Sequence, residues 1–345
     1  MSDESIESGG SRAFREVRAQ LSAGMQDFID IVSADYAKHP KMSGLPFEDQ
    51  RRIAELVRAP WRAGGPQMQN IVEAHEPETG VRVRVYDPGG PAAKPALIYL
   101  HGGGWTFFSL ETHDRLMREY AARAQIVVIG VDYALSPEAK FPVALRQATA
   151  VVLWLNRSGL NLGVQPDRLA IGGDSAGANL AMAASLLVRD AGKPDVLCAL
   201  LLNYGVFHMF NSDEAERRFG GGAFMLNRDE MQTFWANYLT HAQEESNPLA
   251  CPALADLRGL PPAFMTIPEC DILSEQSVSL ANQLKAAGVS VRAQLYPGAT
   301  HSFLEAVSIA PVADRALHDG AVWLRTTLFR GLDGTVGPAS AVRGV

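Results

Sequence analysis

From Val81 onward, short apolar stretches alternate with stretches of helical spacing, and this alternation constrains the fold more than any other feature. Buried-type strands are predicted at residues 96–100, 126–132, 169–172, 196–203, 263–267 and 291–296. Helices are predicted between most of them, at residues 112–124, 143–156, 176–190 and 275–287. Residues 81–86 alternate with period two, which predicts another strand near the sheet edge. The pattern predicts an α/β fold whose mainly parallel sheet is covered on both faces.

Two regions lie outside this alternation. Residues 21–36 and 47–61 have the spacing of amphipathic helices. Residues 205–260 are rich in aromatic side chains but contain no convincing strand, so we expect a helical insertion over the carboxyl edge of the sheet. The predicted organisation is an N-terminal segment with cap helices (1–70), an α/β core (71–204 and 261–330), a helical cap insertion (205–260) and a flexible tail (331–345).

Composition excludes several classes of protein. The 345 residues carry 31 basic and 38 acidic side chains without a basic run, so we expect no nucleic-acid partner. Apolar runs are far shorter than the ~20 residues that span a bilayer, and no secretory signal is visible, which predicts no membrane span and a cytoplasmic location. The three cysteines have neither close pairing nor metal-ligand spacing, which favours free thiols.

A candidate nucleophile, Ser175, lies in Gly173-Asp174-Ser175-Ala176-Gly177, between a predicted strand and a predicted helix. A sharp strand-to-helix turn strains the serine backbone, and only residues without a side chain fit two positions before and after it. The helix that follows directs its N-terminal N–H groups at the reacting centre. Because the motif alone is weak evidence, a glycine-rich turn with an inert serine remains the alternative.

A glycine run follows the strand at 96–100, in His101-Gly102-Gly103-Gly104-Trp105. Glycine lets the main chain approach a substrate, so that backbone N–H groups stabilise the oxyanion of acyl transfer. The predicted donors are the N–H groups of Gly102, Gly103 and Ala176. A phosphate-binding loop is disfavoured because neither a following Lys-Ser/Thr nor a G-x-G-x-x-G spacing is present. For His101 we expect a structural role in the loop.

The general base and its acid are predicted from chain order. In α/β-hydrolases the order is Ser, Asp or Glu, then His, each on a loop after a strand. Only His301, of eight histidines, follows the last predicted strand and precedes the last helix. Asp271 follows the strand before it, with Glu269 as the second choice. The acid fixes the histidine tautomer and stabilises the imidazolium. Cys270 is interpreted as a small buried apolar residue.

Taken together, these motifs resemble those of the bacterial hormone-sensitive lipase family of carboxylesterases, over roughly residues 70–328. Residues 131–138 and 112–114 are similar to further family segments. The resemblance implies an α/β-hydrolase fold with a mainly parallel eight-stranded sheet, a cap built partly from the N-terminal helices, no metal or organic cofactor, and a preference for short acyl esters. Homodimers are common in the family. Ala134, Ala178 and Ser274-Glu275 depart from its pattern.

The predicted function is that of a serine carboxylesterase, which hydrolyses short-chain esters (acetyl to about hexanoyl) of small molecules through an acyl-enzyme on Ser175. An amidase or a deacetylase of a small acetylated metabolite or sugar would use the same triad. A non-catalytic receptor is disfavoured because it would not need His301. Six aromatic residues are candidates for substrate binding, although such residues also pack a cap: Trp105, Phe107, Phe207, Phe210, Phe224 and Trp235.

Overall fold

The computed structural model describes residues 18–90, 92–222 and 224–330. It contains one sheet of eight strands: β1 (Asn70–His75), β2 (Arg82–Asp87), β3 (Lys94–Leu100), β4 (Val127–Val131), β5 (Val164–Asp174), β6 (Leu197–Asn203), β7 (Ala263–Cys270) and β8 (Val291–Thr300). Their spatial order is β1-β2-β4-β3-β5-β6-β7-β8. β2 is antiparallel to both of its neighbours, and all other pairs are parallel. The predicted fold class is confirmed.

Helices of the core connect these strands or follow the last of them. They are α3 (Asp114–Ala124), α4 (Val143–Ser158), α5 (Ala176–Asp190), α8 (Ser274–Ala286) and α9 (Pro311–Leu328). The chain runs one way along the sheet from β3 to β4 and the opposite way from β4 to β5. Because such crossovers are right-handed, α3 and α4 lie on opposite faces. α3 contacts α9, and α4 contacts α5, so the sheet is covered on both sides.

The burial of each strand explains why some strands were predicted from the sequence and β1 was not. All residues of β3 and β4 are buried, which matches their continuous apolar runs. β1 was not predicted, because its only long apolar side chains, Ile71 and Val72, are 47% and 48% exposed and produce no apolar face. β1 is paired only with β2, so β1 and not β2 forms the edge of the sheet.

The helices that we predict to form a cap come from two parts of the chain. α1 (Met25–Tyr36) and α2 (Phe47–Arg58) precede the sheet, and α6 (Asp213–Phe219) and α7 (Arg228–Tyr238) lie between β6 and β7. Asn227 caps α7, because its side chain accepts from the Glu230 N–H while the Glu230 carboxylate accepts from the Asn227 N–H, and this pair defines the start of that helix. Residues 205–222 and 224–260 contain no strand. The predicted tail, 331–345, lies outside the described residues, and the domain boundaries stay predictions.

Further expectations concern the thiols and the membrane. Cys198, Cys251 and Cys270 are free, as predicted. Burial raises the pKa of Cys251 to about 11 and that of Cys270 to about 12, so these two thiols stay protonated near neutral pH. Over the described ranges, no helix combines the length and apolar character needed to cross a bilayer.

Candidate active site

Ser175 lies in a sharp turn between β5 and α5. Its backbone has φ 53° and ψ −119°, a strained conformation for a residue with a side chain. A Cβ atom on Gly173 or Gly177 would lie 2.2 Å or 1.9 Å from the carbonyl oxygen of Leu100. Only glycine therefore permits this approach of the turn to β3. The turn places the Ser175 side chain at the carboxyl edge of the sheet.

Strand register brings the other two predicted triad residues together. Cys270 pairs with Thr300 across β7 and β8, so the residues that follow, Asp271 and His301, are neighbours. His301 Nδ1 lies 2.7 Å from Asp271 Oδ2, and its Nε2 lies 3.0 Å from Ser175 Oγ. With Nδ1–H donating to the carboxylate, the unprotonated Nε2 accepts from the serine hydroxyl. This geometry suits a general base.

Both members of the His301–Asp271 pair are buried, and their surroundings favour an ordered base. The second carboxylate oxygen of Asp271 accepts from the Leu273 N–H at 2.9 Å, which fixes the carboxylate. Burial opposes protonation of His301, but the charge of Asp271 and its hydrogen bond outweigh burial and raise the pKa of His301 above 6.5. Glu269, the second choice for the acid, is exposed and accepts instead from Gly298 N–H.

The glycine loop requires a correction to the predicted oxyanion donors. The Gly102 N–H donates to Asp174 Oδ1 at 3.1 Å, so this group is already used. Gly103 and Gly104 line the cavity that contains Ser175. Neither of their N–H groups, nor that of Ala176, forms a hydrogen bond within the described part of the chain. The sequence predicts a glycine run but does not reveal which of its N–H groups are already paired, and Gly104 was not among the predicted donors.

A second buried histidine–carboxylate pair, also missed, lies behind this loop. Asp174 accepts from the Tyr99 hydroxyl at 2.8 Å as well as from Gly102, and His113 Nε2 lies 3.3 Å from its other oxygen. Burial would raise the pKa of Asp174, but these partners, above all the charge of His113, hold it below its usual value. In the sequence, only the position of Asp174 next to Ser175 indicated that its side chain could hold the glycine loop.

His101 has the structural role expected for it. Its ring stacks on Tyr133 with ring centres 4.4 Å apart, and its Nδ1 lies 2.8 Å from the Gly102 carbonyl. The Tyr133 hydroxyl donates to the His101 carbonyl at 2.7 Å. Burial and the neighbouring His113 lower the pKa of His101 to about 4, so it is neutral near pH 7. It braces the loop.

The cavity at Ser175 has a volume of about 660 Å³ and is bounded by the core loops and by both parts of the cap. Of the six aromatic candidates for substrate binding, only Phe107 lines it. Other aromatic and apolar residues line it that sequence analysis did not select, among them Tyr36, Met42, Met225, Leu226 and Phe234. Aromatic or apolar character alone did not distinguish the residues that line the cavity from those that pack the cap.

The other five candidates lie elsewhere for physical reasons. Trp105 is buried and stacks on Tyr238 with ring centres 4.2 Å apart, and Trp235 packs against it at 4.7 Å. Phe207 is fully buried, and Phe224 packs edge-on against Phe219. Phe210 is 73% exposed and borders a separate cavity in the cap. These side chains stabilise the cap or face solvent, and they do not form the pocket at Ser175.

Comparison with known proteins identifies the family. A family model described as alpha/beta hydrolase fold matches residues 97–305, which span the glycine loop and all three triad positions. The chain belongs to this family. The predicted family and fold are thereby confirmed.

Several solved structures are similar over nearly their whole length. EstE1, a thermophilic and thermostable carboxylesterase cloned from a metagenomic library, shares 34% identity, with a TM-score of 0.79 over 82% of this chain and 98% of that one. A hyperthermophilic esterase from the archaeon Pyrobaculum calidifontis shares 29% (TM-score 0.81; 87% and 97% covered). The ester-hydrolase EH1AB1 from the metagenome of Lake Arreo shares 28% (0.82; 89% and 98%). The predicted enzyme class, a carboxylic ester hydrolase, agrees with all three.

Proposed function

We propose that the protein is a serine carboxylesterase that hydrolyses esters of short acyl chains, from acetyl to about hexanoyl, through an acyl-enzyme on Ser175. The observation that carries the proposal is the continuous line of contacts from Asp271 through His301 to Ser175, at 2.7 Å and 3.0 Å. The esterases described above, with similar folds at 28–34% identity, support it as well. A receptor would need the cavity but not this base.

In the first half of the reaction, Ser175 Oγ attacks the ester carbonyl carbon and its proton passes to His301 Nε2. The carbonyl oxygen becomes an oxyanion, which accepts hydrogen bonds from the N–H groups of Gly103, Gly104 and Ala176. When the carbon–oxygen bond to the alcohol breaks, His301 returns the proton to the leaving oxygen. The acyl group remains on Ser175, and the alcohol departs.

In the second half, His301 accepts a proton from a water molecule as that water attacks the acyl carbon. The oxyanion again rests on the same backbone donors, and collapse of the intermediate breaks the bond to Ser175 Oγ, which regains the proton from His301. The products are a carboxylic acid and the free enzyme. Asp271 stabilises the imidazolium in both halves.

The preference for short acyl chains is supported by the walls of the cavity. The aromatic rings of Phe107, Phe108 and Phe234 border it close to the glycine loop. Polar and charged side chains of the N-terminal helices, including Tyr36 and Arg58, line it as well, which is unfavourable for a long alkyl chain. We expect kcat/KM for 4-nitrophenyl esters to peak between two and about six acyl carbons and to fall at ten or more.

The replacement Ser175→Ala tests the proposal. It removes the attacking oxygen, so turnover of 4-nitrophenyl acetate should fall by about 10⁶-fold while the fold persists. A matched control is Ser33→Ala, an exposed serine on the rim of the same cavity. A fluorophosphonate probe should label the parent protein at Ser175 and leave the variant unlabelled. Unchanged turnover in Ser175→Ala would contradict the assignment.

Ester and amide hydrolysis share the same tetrahedral intermediate, so the leaving group must be varied to separate them. Matched nitrophenyl esters and nitroanilides of one acyl group serve this purpose, and we expect the ester to be turned over far faster. Nothing in the site favours the amidase. The cytoplasmic location and the homodimer stay predictions.

A further inference from the structure

One charged side chain in the wall of the active-site cavity has no role in the proposed chemistry. Arg58 is the last residue of α2, and its side chain is 5% exposed. It nevertheless lines the cavity that contains Ser175. Desolvating a guanidinium is costly, and its charge is permanent at any physiological pH. A buried arginine in a ligand cavity therefore requires an explanation beyond packing.

The contacts of Arg58 leave much of its hydrogen-bonding capacity unused. Its NH1 atom lies 3.2 Å from Glu305 Oε2, an ion pair in which both side chains are 5% exposed. Within the described residues, neither Nε nor NH1 forms a hydrogen bond of acceptable geometry. The guanidinium lies over the rings of Phe108 and Phe28, at 5.1 Å and 5.8 Å, which holds it in place. The guanidinium is thus held in place, but its hydrogen-bond donors are not fully paired.

We propose that Arg58 binds a carboxylate carried by the substrate at a distance from the scissile ester. This inference rests on the proposed function, because it assigns the substrate class of the same site: esters that bear a free carboxyl group. Since Nε and NH1 are enclosed by protein, a ligand in the cavity would meet the remaining guanidinium nitrogen, NH2. The N–H groups of a guanidinium form strong charge-assisted bonds with a carboxylate.

The other charges of the cavity are compatible with this assignment. Glu305 does not line the cavity, so it compensates Arg58 from behind without blocking the approach of a ligand. Among the described residues, Lys41 adds a second cation to the lining, and Glu230 is its only carboxylate side chain. Tyr36 lies beside Arg58 and lines the same cavity.

Two pairs of substrates test the proposal, and in each pair a free carboxylate is compared with its neutral methyl ester. For the acyl side, 4-nitrophenyl hydrogen glutarate is compared with its methyl ester. For the alcohol side, 4-acetoxybenzoate is compared with methyl 4-acetoxybenzoate. The measured quantity is the ratio of kcat/KM for the charged ester to that for its neutral partner. In at least one pair this ratio should exceed one in the parent protein.

The replacement Arg58→Met keeps the length of the side chain and removes the charge. It should lower the charged-to-neutral ratio by about 10- to 100-fold, mainly through KM, as expected for one charge-assisted contact. Arg58→Lys should restore part of the ratio. Because Arg58→Met leaves Glu305 buried without its partner, the double variant Arg58→Met/Glu305→Gln provides a folded alternative. Arg52→Met is the matched control, since Arg52 is exposed on the same helix and should leave the ratio unchanged.

The outcomes separate this inference from the proposed function. Efficient hydrolysis of the neutral esters, with a ratio that Arg58 variants do not alter, would overturn the carboxylate site and leave the esterase intact. A loss that is equal for charged and neutral esters would assign Arg58 a structural role and also overturn it. Failure to hydrolyse any ester, together with failure of the fluorophosphonate to label Ser175, would instead contradict the proposed function.

Discussion

Two buried histidine–aspartate pairs flank Ser175, and they differ in what the second ring nitrogen touches. In the His301–Asp271 pair, Nδ1 meets the carboxylate at 2.7 Å and Nε2 lies 3.0 Å from Ser175 Oγ. In the His113–Asp174 pair, Nε2 meets the carboxylate at 3.3 Å and Nδ1 lies 2.9 Å from Thr112 Oγ1. Because that threonine hydroxyl donates to the Ser109 carbonyl, His113 Nδ1 acts as a donor to it.

The comparison teaches that burial beside a carboxylate does not by itself make a catalytic base. In both histidines burial opposes the charged form, and in both the neighbouring aspartate overcomes it and raises the pKa. Only His301 presents a nitrogen to the nucleophile. His113 has both nitrogens engaged by protein groups and instead helps Asp174 to hold the glycine loop. We infer that one pair transfers protons and that the other positions the oxyanion donors.

The largest expected difference comes from the same replacement in both pairs. His301→Gln removes the base, so kcat/KM for 4-nitrophenyl acetate should fall by about 10⁴-fold or more. His113→Gln keeps the base and should cost less than about 100-fold, with a lower melting temperature. If His113→Gln were as damaging as His301→Gln in a folded protein, the division of roles would be wrong.

A smaller effect is expected when the anchor of the glycine loop is removed. Asp174→Ala deprives the Gly102 N–H and the Tyr99 hydroxyl of their acceptor and allows the loop to shift, so kcat should fall by about 100-fold, the scale of one lost oxyanion donor. Stability should fall by about 1–3 kcal/mol, because buried donors lose their partner.

Tyr99→Phe is the matched control for this replacement, because it removes one donor to Asp174 and leaves the Gly102 contact in place. Steady-state kinetics and thermal melting measure both variants. Equal kcat in Asp174→Ala and the parent protein would refute a positioning role for Asp174.

The smallest expected effect is a shift in pH dependence. The neutral form of His301 is the base, so activity is lost as the pH falls through its pKa. Since that pKa is raised, the acidic limb of kcat/KM should lie above pH 6.5. Glu230 is among the charges that raise it, and Glu230→Gln should move the limb down by a few tenths of a pH unit. An acidic limb below pH 6.5 in the parent protein, or a limb that Glu230→Gln does not move, would contradict this account of His301.

Sequence reasoning predicted that the three side chains meet, because each follows a strand of a parallel sheet. The carboxyl ends of such strands meet at one edge, so Ser175, Asp271 and His301 are constrained by position as well as by residue type. The helix predicted at 176–190 has the same bounds as α5. The edge strand β1 escaped prediction because strand pairing, and not an apolar face, holds it to the sheet.

The finer parts of the site depend on three-dimensional detail that the sequence pattern does not encode. Gly102 and Gly104 are alike in sequence, yet only the structure reveals that Asp174 engages the first and that the second faces the cavity. Trp105 lies within the glycine motif, but its ring turns away to stack on Tyr238. Arg58, on an N-terminal helix distant in sequence, has no motif to mark it.

The register that pairs Cys270 with Thr300, and Leu100 with Gly173, has a consequence for folding. The nucleophile, the glycine loop, the acid and the base come from four strands, and each functional contact depends on a parallel pairing between distant segments. Such pairings form slowly because long loops must close first. Hydrolytic activity is therefore expected only after β8, which leads to His301, has docked at the far edge, and recovery of turnover during refolding reports that step.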